Sequence, residues 1–257
     1  MKRADVLGVP VDPVTVDALH DRIGAFIRTG ARATVLHANV HAINLAVRHA
    51  WFARILRQAD LVFCDGAGVR LGARILGQHL PARITYADWM WPLAAWCEAQ
   101  RFSLFLMGAE PGVADLAATR LRARAPGLRI VGTHHGFFDK TSGSPESLAA
   151  IRAINAAGPD IVIVGFGMPA QERWVHDHRP MIDAPVVLTG GAVFDYVSGR
   201  LRRAPAWMTR HGLEWLGRLV IEPRRLLGRY VVGNPLFLAR VLRERLRQAT
   251  ARHRRPR

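Results

Sequence analysis

The sequence holds two cysteines in 257 residues. That is too few for a disulfide framework, and Cys64 and Cys97 show none of the spacings of a zinc site. A reducing compartment fits such a chain. No uninterrupted apolar run reaches about 18 residues, so no membrane-spanning helix is expected. Residues 1–19 lack the apolar core of a secretory leader, which points to the cytoplasm. Three chemical signatures are missing as well: the P-loop, the paired-histidine helix of zinc proteases and the Gly-x-Ser-x-Gly nucleophile elbow. Gly165-Phe166-Gly167 is a fragment of a dinucleotide fingerprint without its third glycine in place. There is no Asp-x-Asp pair to hold a metal-bound nucleotide diphosphate. His134-His135 and His176-Asp177-His178 are poorly spaced to ligate one ion. No metal and no cofactor are therefore expected.

What the chain does have is apolar mass and uneven charge. Half of its residues are hydrophobic, enough for a sizeable core, and its length suits one large domain or a domain with an appendage. The net charge of +16 is concentrated at one end. Residues 200–257 hold 16 Arg and 3 Glu, whereas residues 1–199 hold 20 Lys and Arg against 17 Asp and Glu. Such a segment prefers phosphate, whether in nucleic acid, anionic lipid head groups or a diphosphate substrate.

Short apolar runs alternate with helical patterns along residues 1–199. Residues 6–12 read as a strand and turn, and Thr15 is placed to cap a helix over 16–28. Strands are expected at Ala33 to Leu36, Leu61 to Cys64, Ser103 running into a turn at Gly108-Ala109, Leu128 to Thr133, Asp160 to Gly165 and Pro185 to Gly191, with helices between them, including 113–124 and 145–157. This order predicts an α/β fold with a doubly wound, mainly parallel sheet over 1–199, followed by a helical, cationic appendage over 200–257. In the appendage, Trp207, Trp215, Leu216, Leu219, Leu226, Leu227, Tyr230, Phe237, Leu238 and Leu242 alternate with arginines. That pattern suits a membrane interface and equally suits docking on the body or on a second subunit. Residues 252–257 read as a solvated, frayed tail.

One stretch organises the rest. Leu61 to Cys64 is a short apolar strand broken at once by Asp65-Gly66. A carboxylate just past the carboxyl end of a strand lies where α/β sheets place their ligand crevice, although Asp65 could equally cap the helix that follows. Other strands end in polar or glycine-bearing turns at His37-Ala38-Asn39, Gly108, Gly136 and Gly190-Gly191, which let backbone N–H groups approach an anion. A carboxylate base beside arginine-rich chain suggests transfer with a diphosphate leaving group. Asp65 would take a proton from an attacking hydroxyl, and arginines would neutralise the departing phosphates.

The ordered set of motifs resembles the WecG/TagA/CpsF family of bacterial glycosyltransferases. The matching pieces are Asn39, the run from Ala59 through Asp65-Gly66-Ala67-Gly68, Arg83 with Asp88, and Leu106-Met107-Gly108. They continue with Gly132 to Phe138, Gly165-Phe166-Gly167-Met168-Pro169-Ala170-Gln171-Glu172, Gly190 to Asp195, Arg203-Ala204-Pro205, and Gly212 to Leu216 with Glu222-Pro223. The resemblance covers residues 5–230. It implies an inverting, metal-independent transferase that moves an N-acetylmannosamine-type sugar from a UDP-sugar to a polyprenyl-diphosphate-linked sugar, at the inner face of the cell membrane, in cell-surface polysaccharide synthesis. By this likeness Asp65 is the base, Asn39, Arg83 and Gln171 line the pocket, and Gly136, Phe137 and Asp195 fall at the nucleotide site. Arg218, Arg224 or Arg225 would reach the diphosphate or the anionic membrane. Each has a plainer reading: a cap for Asn39, a helix start for Gln171, a surface ion pair for Arg83, a cap or turn for Asp195, core for Phe137 and lipid contact for the arginines. The chain departs from the family pattern at His37, where Thr is usual, and at Tyr86, where Gly is common. Two other classes remain: a nucleic-acid-binding protein using the basic segment, although none of the motifs outside that segment asks for nucleic acid, and an inert scaffold of a polysaccharide complex. A homo-oligomer is compatible with the exposed apolar pattern.

Overall fold

The computed structural model describes residues 2–211 and 213–253. The side chains of Ala206, Arg210, Glu214, Arg225, Arg252 and His253 are not among those described, and the tail from residue 254 lies outside them too. The chain opens with a hairpin, β1 (Ala4–Val6) and β2 (Val9–Val11), whose two turn residues Leu7 and Gly8 both have positive φ, as tight hairpins require. α1 (Val16–Thr29) follows, its first turn capped by the Thr15 hydroxyl, which accepts from the Ala18 N–H.

The main sheet is six-stranded and parallel, in the order β4-β3-β8-β7-β5-β6. Its strands are β3 (Ala33–Ala38), β4 (Leu61–Cys64), β5 (Ser103–Gly108), β6 (Arg129–His134), β7 (Ile161–Gly165) and β8 (Val186–Thr189). The strands read as unbroken apolar runs because both faces are covered. Period-2 alternation then sorts their side chains. Val35, Leu61, Phe63, Leu104, Leu106, Ile163 and Leu188 enter one core. Leu36, Val62 and Cys64, and further along Phe105, Met107, Val162 and Val164, enter the cores on the other face.

The connecting helices fall on both faces. α1, α5 (Tyr86–Gln100), α6 (Val113–Arg124) and α9 (Val193–Ser198) pack on the first face. α2 (Val40–Arg48), α3 (Ala50–Gln58) and α4 (Ala67–Ile75) pack on the second, alongside α7 (Pro145–Ala157) and α8 (Ala170–His178). Helix α2 after β3 and helix α9 after β8 therefore leave adjacent strands toward opposite faces. This is the switch-point geometry that opens a crevice at the carboxyl ends of the strands. It comes from sequence features that are local and apolar, which is why the expected sheet is the observed one.

After Arg200 the chain is built from short pieces: α10 (Ala206–Arg210), α11 (Glu214–Ile221), α12 (Pro223–Leu227), a π-helical turn (Gly228–Val232) and α13 (Gly233–His253). One face of this segment docks on the body. Phe237 and Val241 of α13 are buried in the core shared with α2, α3 and α4, each worth about 1.5–3 kcal/mol of burial. The Asn44 amide donates to the Gly233 carbonyl at 2.8 Å, and Arg240 donates to Asn44 Oδ1 at 2.7 Å. The Arg203 guanidinium binds both oxygens of Asp88 at the start of α5. The other face is open: Trp207, Val220, Ile221, Leu227, Val232, Leu242 and Leu246 are exposed. Docking on the body thus describes one face of this segment, and the other face stands outward. Among the described residues, no helix is long and apolar enough to cross a membrane.

Candidate active site

A cavity of about 560 Å³ lies where the carboxyl ends of β3, β4 and β8 meet the C-terminal segment. Its floor comes from the sheet: His37 near the end of β3 and Asn39 just after it, Asp65 to Gly68 after β4, and Gly190 to Val193 after β8. Arg83, Tyr86 and Met168 form part of the walls. The roof is the C-terminal segment, with Trp215 and Arg218 of α11, Arg229 and Tyr230 of the π-helical turn, and Asn234 and Phe237 of α13.

Asp65 does not cap α4. The N-cap position is Gly66, at φ 114°, and no side chain caps that helix. A residue with a Cβ resists that φ, so the Asp-Gly pair turns the chain sharply and leaves the carboxylate to the cavity. Its side chain is 21 % exposed. Burial drives its pKa up to about 6, opposed by a hydrogen bond from the Asn39 side chain and by the charges of Arg229, Arg218 and Arg83. A carboxylate poised near neutrality is suited to take a proton in one step and release it in the next.

Asn39 does two jobs. Its Oδ1 caps α2, accepting from the Ala42 N–H at 3.0 Å, and its side chain also holds Asp65. The cap reading and the pocket reading are both met by one amide. His37 is buried with its Nδ1 2.8 Å from the Thr189 carbonyl oxygen and its Nε2 3.8 Å from Asp65 Oδ2. Burial lowers its pKa to about 4, so the ring is neutral at pH 7. Tyr86 packs its edge against His37 at 5.4 Å, and its buried hydroxyl finds no partner among the described residues.

Cations collect above this floor. Arg83 lines the wall and donates to the Thr209 carbonyl of α10 at 3.2 Å, tying wall to roof. Arg218 lies against the Tyr196 ring and donates to Glu222. Arg229 reaches far enough in to act on Asp65, His37, His41 and Glu172. The sequence reading missed Arg229. Eleven residues separate it from Arg218, three turns of a continuous helix, but the break at Glu222-Pro223 hides that relation until the segment is folded. Arg224 is exposed and outside the cavity lining, and the Arg225 side chain lies outside those described.

Two expectations need correction, and the residues expected at the nucleotide site stand apart from this cavity. Gln171 does not line the cavity: it is fully buried. Its Oε1 accepts from the Gly167 and Gly191 N–H groups at 3.1 and 3.0 Å, and its Nε2 donates to Glu172 Oε1 at 2.7 Å. It ties two glycine loops together from behind, and it is not a simple helix start either. Phe137 is not core but 65 % exposed, because it follows the edge strand β6. Gly136, Phe137 and Asp195 lie outside the cavity lining.

A ledge of strand ends nevertheless leads from Gly136 toward the cavity. Gly136 N–H donates to the Ala109 carbonyl at 2.7 Å, and Ala109 N–H donates to the Gly165 carbonyl at 3.2 Å. A Cβ on Gly108 would lie 2.4 Å from the Gly165 carbonyl oxygen, and one on Gly165 would lie 2.8 Å from that of Gly191. Asp195 sits in the first turn of α9 beside the cavity residues Val193 and Tyr196. Among the described residues, no three His, Cys, Asp or Glu side chains are grouped so that they could hold a metal ion.

The family model described as "Glycosyl transferase WecG/TagA/CpsF family" matches residues 4–251. A Staphylococcus aureus protein named N-acetylglucosaminyldiphosphoundecaprenol N-acetyl-beta-D-mannosaminyltransferase is 27% identical over 241 residues, 93% of this chain and 92% of that protein. A Bacillus subtilis protein of the same name is also 27% identical over 241 residues, 93% of this chain and 88% of its own length. With a carboxylate-floored, arginine-roofed cavity at the switch point of its sheet, the chain belongs to the WecG/TagA/CpsF family and is a glycosyltransferase.

Proposed function

We propose that this glycosyltransferase moves an N-acetylmannosamine-type sugar from a UDP-sugar to a sugar carried on a polyprenyl diphosphate, without a metal ion and with inversion. The observation that supports it is the placement of Asp65 on the floor of the cavity, facing Arg83, Arg218 and Arg229. In this reading Asp65 removes the proton from the acceptor hydroxyl as its oxygen attacks C1 of the donor sugar. The bond from C1 to the diphosphate oxygen breaks, and UDP leaves with the electron pair. One displacement at C1 inverts it. The arginines offset the charge that develops on the leaving diphosphate, the role a metal plays elsewhere. Asn39 orients the base. Gly136, Phe137 and Asp195 would meet the nucleotide along the glycine ledge, Phe137 offering an exposed ring for the base. Gln171 would act indirectly, by fixing Gly167 and Gly191. The names of the relatives support the lipid-linked acceptor.

In the same reading, residues 200–257 form the unit that faces the membrane. Its exposed apolar side chains, Val220 at 75 % and Leu246 at 69 %, stand among arginines, a pattern that suits an anionic bilayer surface. In this reading the enzyme works at the inner face of the cell membrane. Deleting the segment would also strip Phe237 and Val241 from the core, so Val220→Asp with Ile221→Asp is the cleaner probe. Release from anionic vesicles is expected, and unchanged binding would move the contact elsewhere. The activity itself is tested by UDP release across a panel of UDP-sugars, with a short-chain polyprenyl-diphosphate sugar as acceptor and EDTA present. Acceptor-dependent release with one donor is expected. Release that depends on added divalent metal would remove the metal-independent mechanism.

A further inference from the structure

We propose that His37 is the positioning residue of the Asp65 base: its bare Nε2 receives the Asp65 carboxyl proton as a hydrogen bond once Asp65 has taken it from the acceptor. The inference rests on the transferase reading above and deepens it. It starts from the ring's other nitrogen. Nδ1 lies 2.8 Å from the Thr189 carbonyl oxygen. A carbonyl only accepts, so Nδ1 carries the hydrogen and Nε2 is left with its lone pair. The ring cannot exchange these roles easily, because it is buried between Phe63 and Tyr86.

Nε2 and Asp65 Oδ2 stand 3.8 Å apart. That is too long for a hydrogen bond, as two facing acceptors should be while Asp65 is ionised. Protonation of Asp65 turns the facing lone pairs into an O–H···N bond after a closing of roughly 1 Å. The Asn39 side chain favours the ionised carboxylate. Asp65 therefore has a partner in each protonation state, Asn39 before proton transfer and His37 after it.

Burial, which penalises both the carboxylate and an imidazolium, keeps the proton on Asp65 and off His37, against the pull of the arginines. Arg83 before α5, Arg218 on α11 and Arg229 in the π-helical turn all favour the carboxylate. Tyr86 on α5 and Cys64 on β4 are neutral, their pKa values raised by burial. Glu172 on α8 lies behind Tyr86, its pKa raised by burial to about 7. Burial and Arg229 both disfavour an imidazolium at His37, although the Thr189 carbonyl supports it. The balance is then closed. The acceptor O–H breaks, the O–C1 bond forms, and C1 parts from the diphosphate, which keeps the pair. The proton rests on Asp65, hydrogen-bonded to His37 Nε2, until solvent takes it.

Imidazole 15N NMR of the full chain tests the first half. At pH 7.5 His37 is expected to show a protonated Nδ1 and a bare Nε2. The Nε2 signal should shift with an inflection where Asp65 titrates, about 6, well above the pH of imidazolium formation, about 4. An Nε2–H tautomer, or a ring that becomes cationic with the carboxylate, would overturn the proposal. The pH profile of transfer tests the second half. In His37→Phe the plateau kcat should fall about tenfold, and the acid limb of kcat/KM should move down by roughly one pH unit, because the protonated base loses its partner. His37→Gln can donate to Thr189 and present its amide oxygen to Asp65, so it should restore most of both. A His37→Phe profile superimposable on the parent would overturn the role. Should Asp65→Asn keep full transfer, the base assignment falls and this role with it. If Asp65→Asn is inactive while His37→Phe is unchanged, only the His37 role is lost. If His37→Phe does not fold, the NMR of the parent decides.

Discussion

The cavity has two halves made in different ways. The floor is sheet-built: His37, Asn39 and Asp65 lie at the carboxyl ends of strands covered on both faces, and each is held by at least one hydrogen bond or close polar neighbour. The roof is made of short helices and a π-helical turn, docked through one face only and apolar on the other. The floor carries the group whose proton affinity must be set closely, and the roof carries the cations. A base needs placement within fractions of an ångström, whereas charge neutralisation tolerates a looser frame. The comparison teaches that a sheet-built body can hold one polar group closely while a segment docked on it through one face completes the electrostatics.

The sharpest way to break that division is Asp65→Asn. Transfer should fall about 10³-fold, yet the folded state should gain stability. The folded pKa of Asp65, about 6, lies above its ordinary 3.8. Its burden is therefore full above pH 6 and gone below the ordinary value. Thermal melts should show Asp65→Asn more stable than the parent at pH 8, by up to about 2–3 kcal/mol, and equal to it at about pH 3. A loss of stability at both pH values would return Asp65 to a structural role.

Roof substitutions should behave in the opposite way. Arg229→Ala and Arg218→Ala should each cost about 10²-fold in kcat with little change in melting temperature. Because both arginines hold the Asp65 pKa down, their removal should move the acid limb of the rate profile to higher pH. An unmoved limb would detach the roof from the base.

Gly72→Val probes the joint between the halves. An added Cβ at Gly72 would lie 2.5 Å from the Phe237 ring, and overpacking of this kind costs about 1–3 kcal/mol. Hydrogen exchange should quicken across residues 233–246 and stay unchanged in β3 and β5, with transfer reduced about tenfold. Uniform quickening would mean that the halves fold as one unit. The smallest effect is expected for Arg203→Ala. Asp88 is 53 % exposed, so losing that pair should cost less than about 1 kcal/mol in a denaturant titration.

Much of the floor was legible because its signals are local. An apolar run followed by Asp-Gly marks the end of β4 wherever the rest of the chain goes, and Asn39 reads as a cap before any tertiary contact is known. Gln171 was misplaced because nothing in its neighbours tells that Gly167 and Gly191 converge on its oxygen. That convergence depends on β7 and β8 pairing. Phe137 looked like core by composition, and only the edge position of β6 exposes it. Arg229 was missed for a similar reason: its place follows from the fold-back at Glu222 to Val232, which no periodicity reports. Arg224, close in sequence and equal in charge, ends up outside. What sequence hides here is the set of groups that meet only after separate elements dock.

Helix α2 touches both halves. Its cap residue Asn39 holds the base, and one turn further on Asn44 holds Gly233 and Arg240 of the roof. The roof also contributes the two cations that lower the proton affinity of Asp65. Thermodynamic linkage makes such an influence reciprocal. If a docked roof favours the ionised base, then ionising the base tightens the roof, and acid loosens it. If that coupling holds, the pH of the medium should set how firmly the roof docks, and any surface that engages the outer face of α13 should be coupled, through a nine-residue helix, to a single proton.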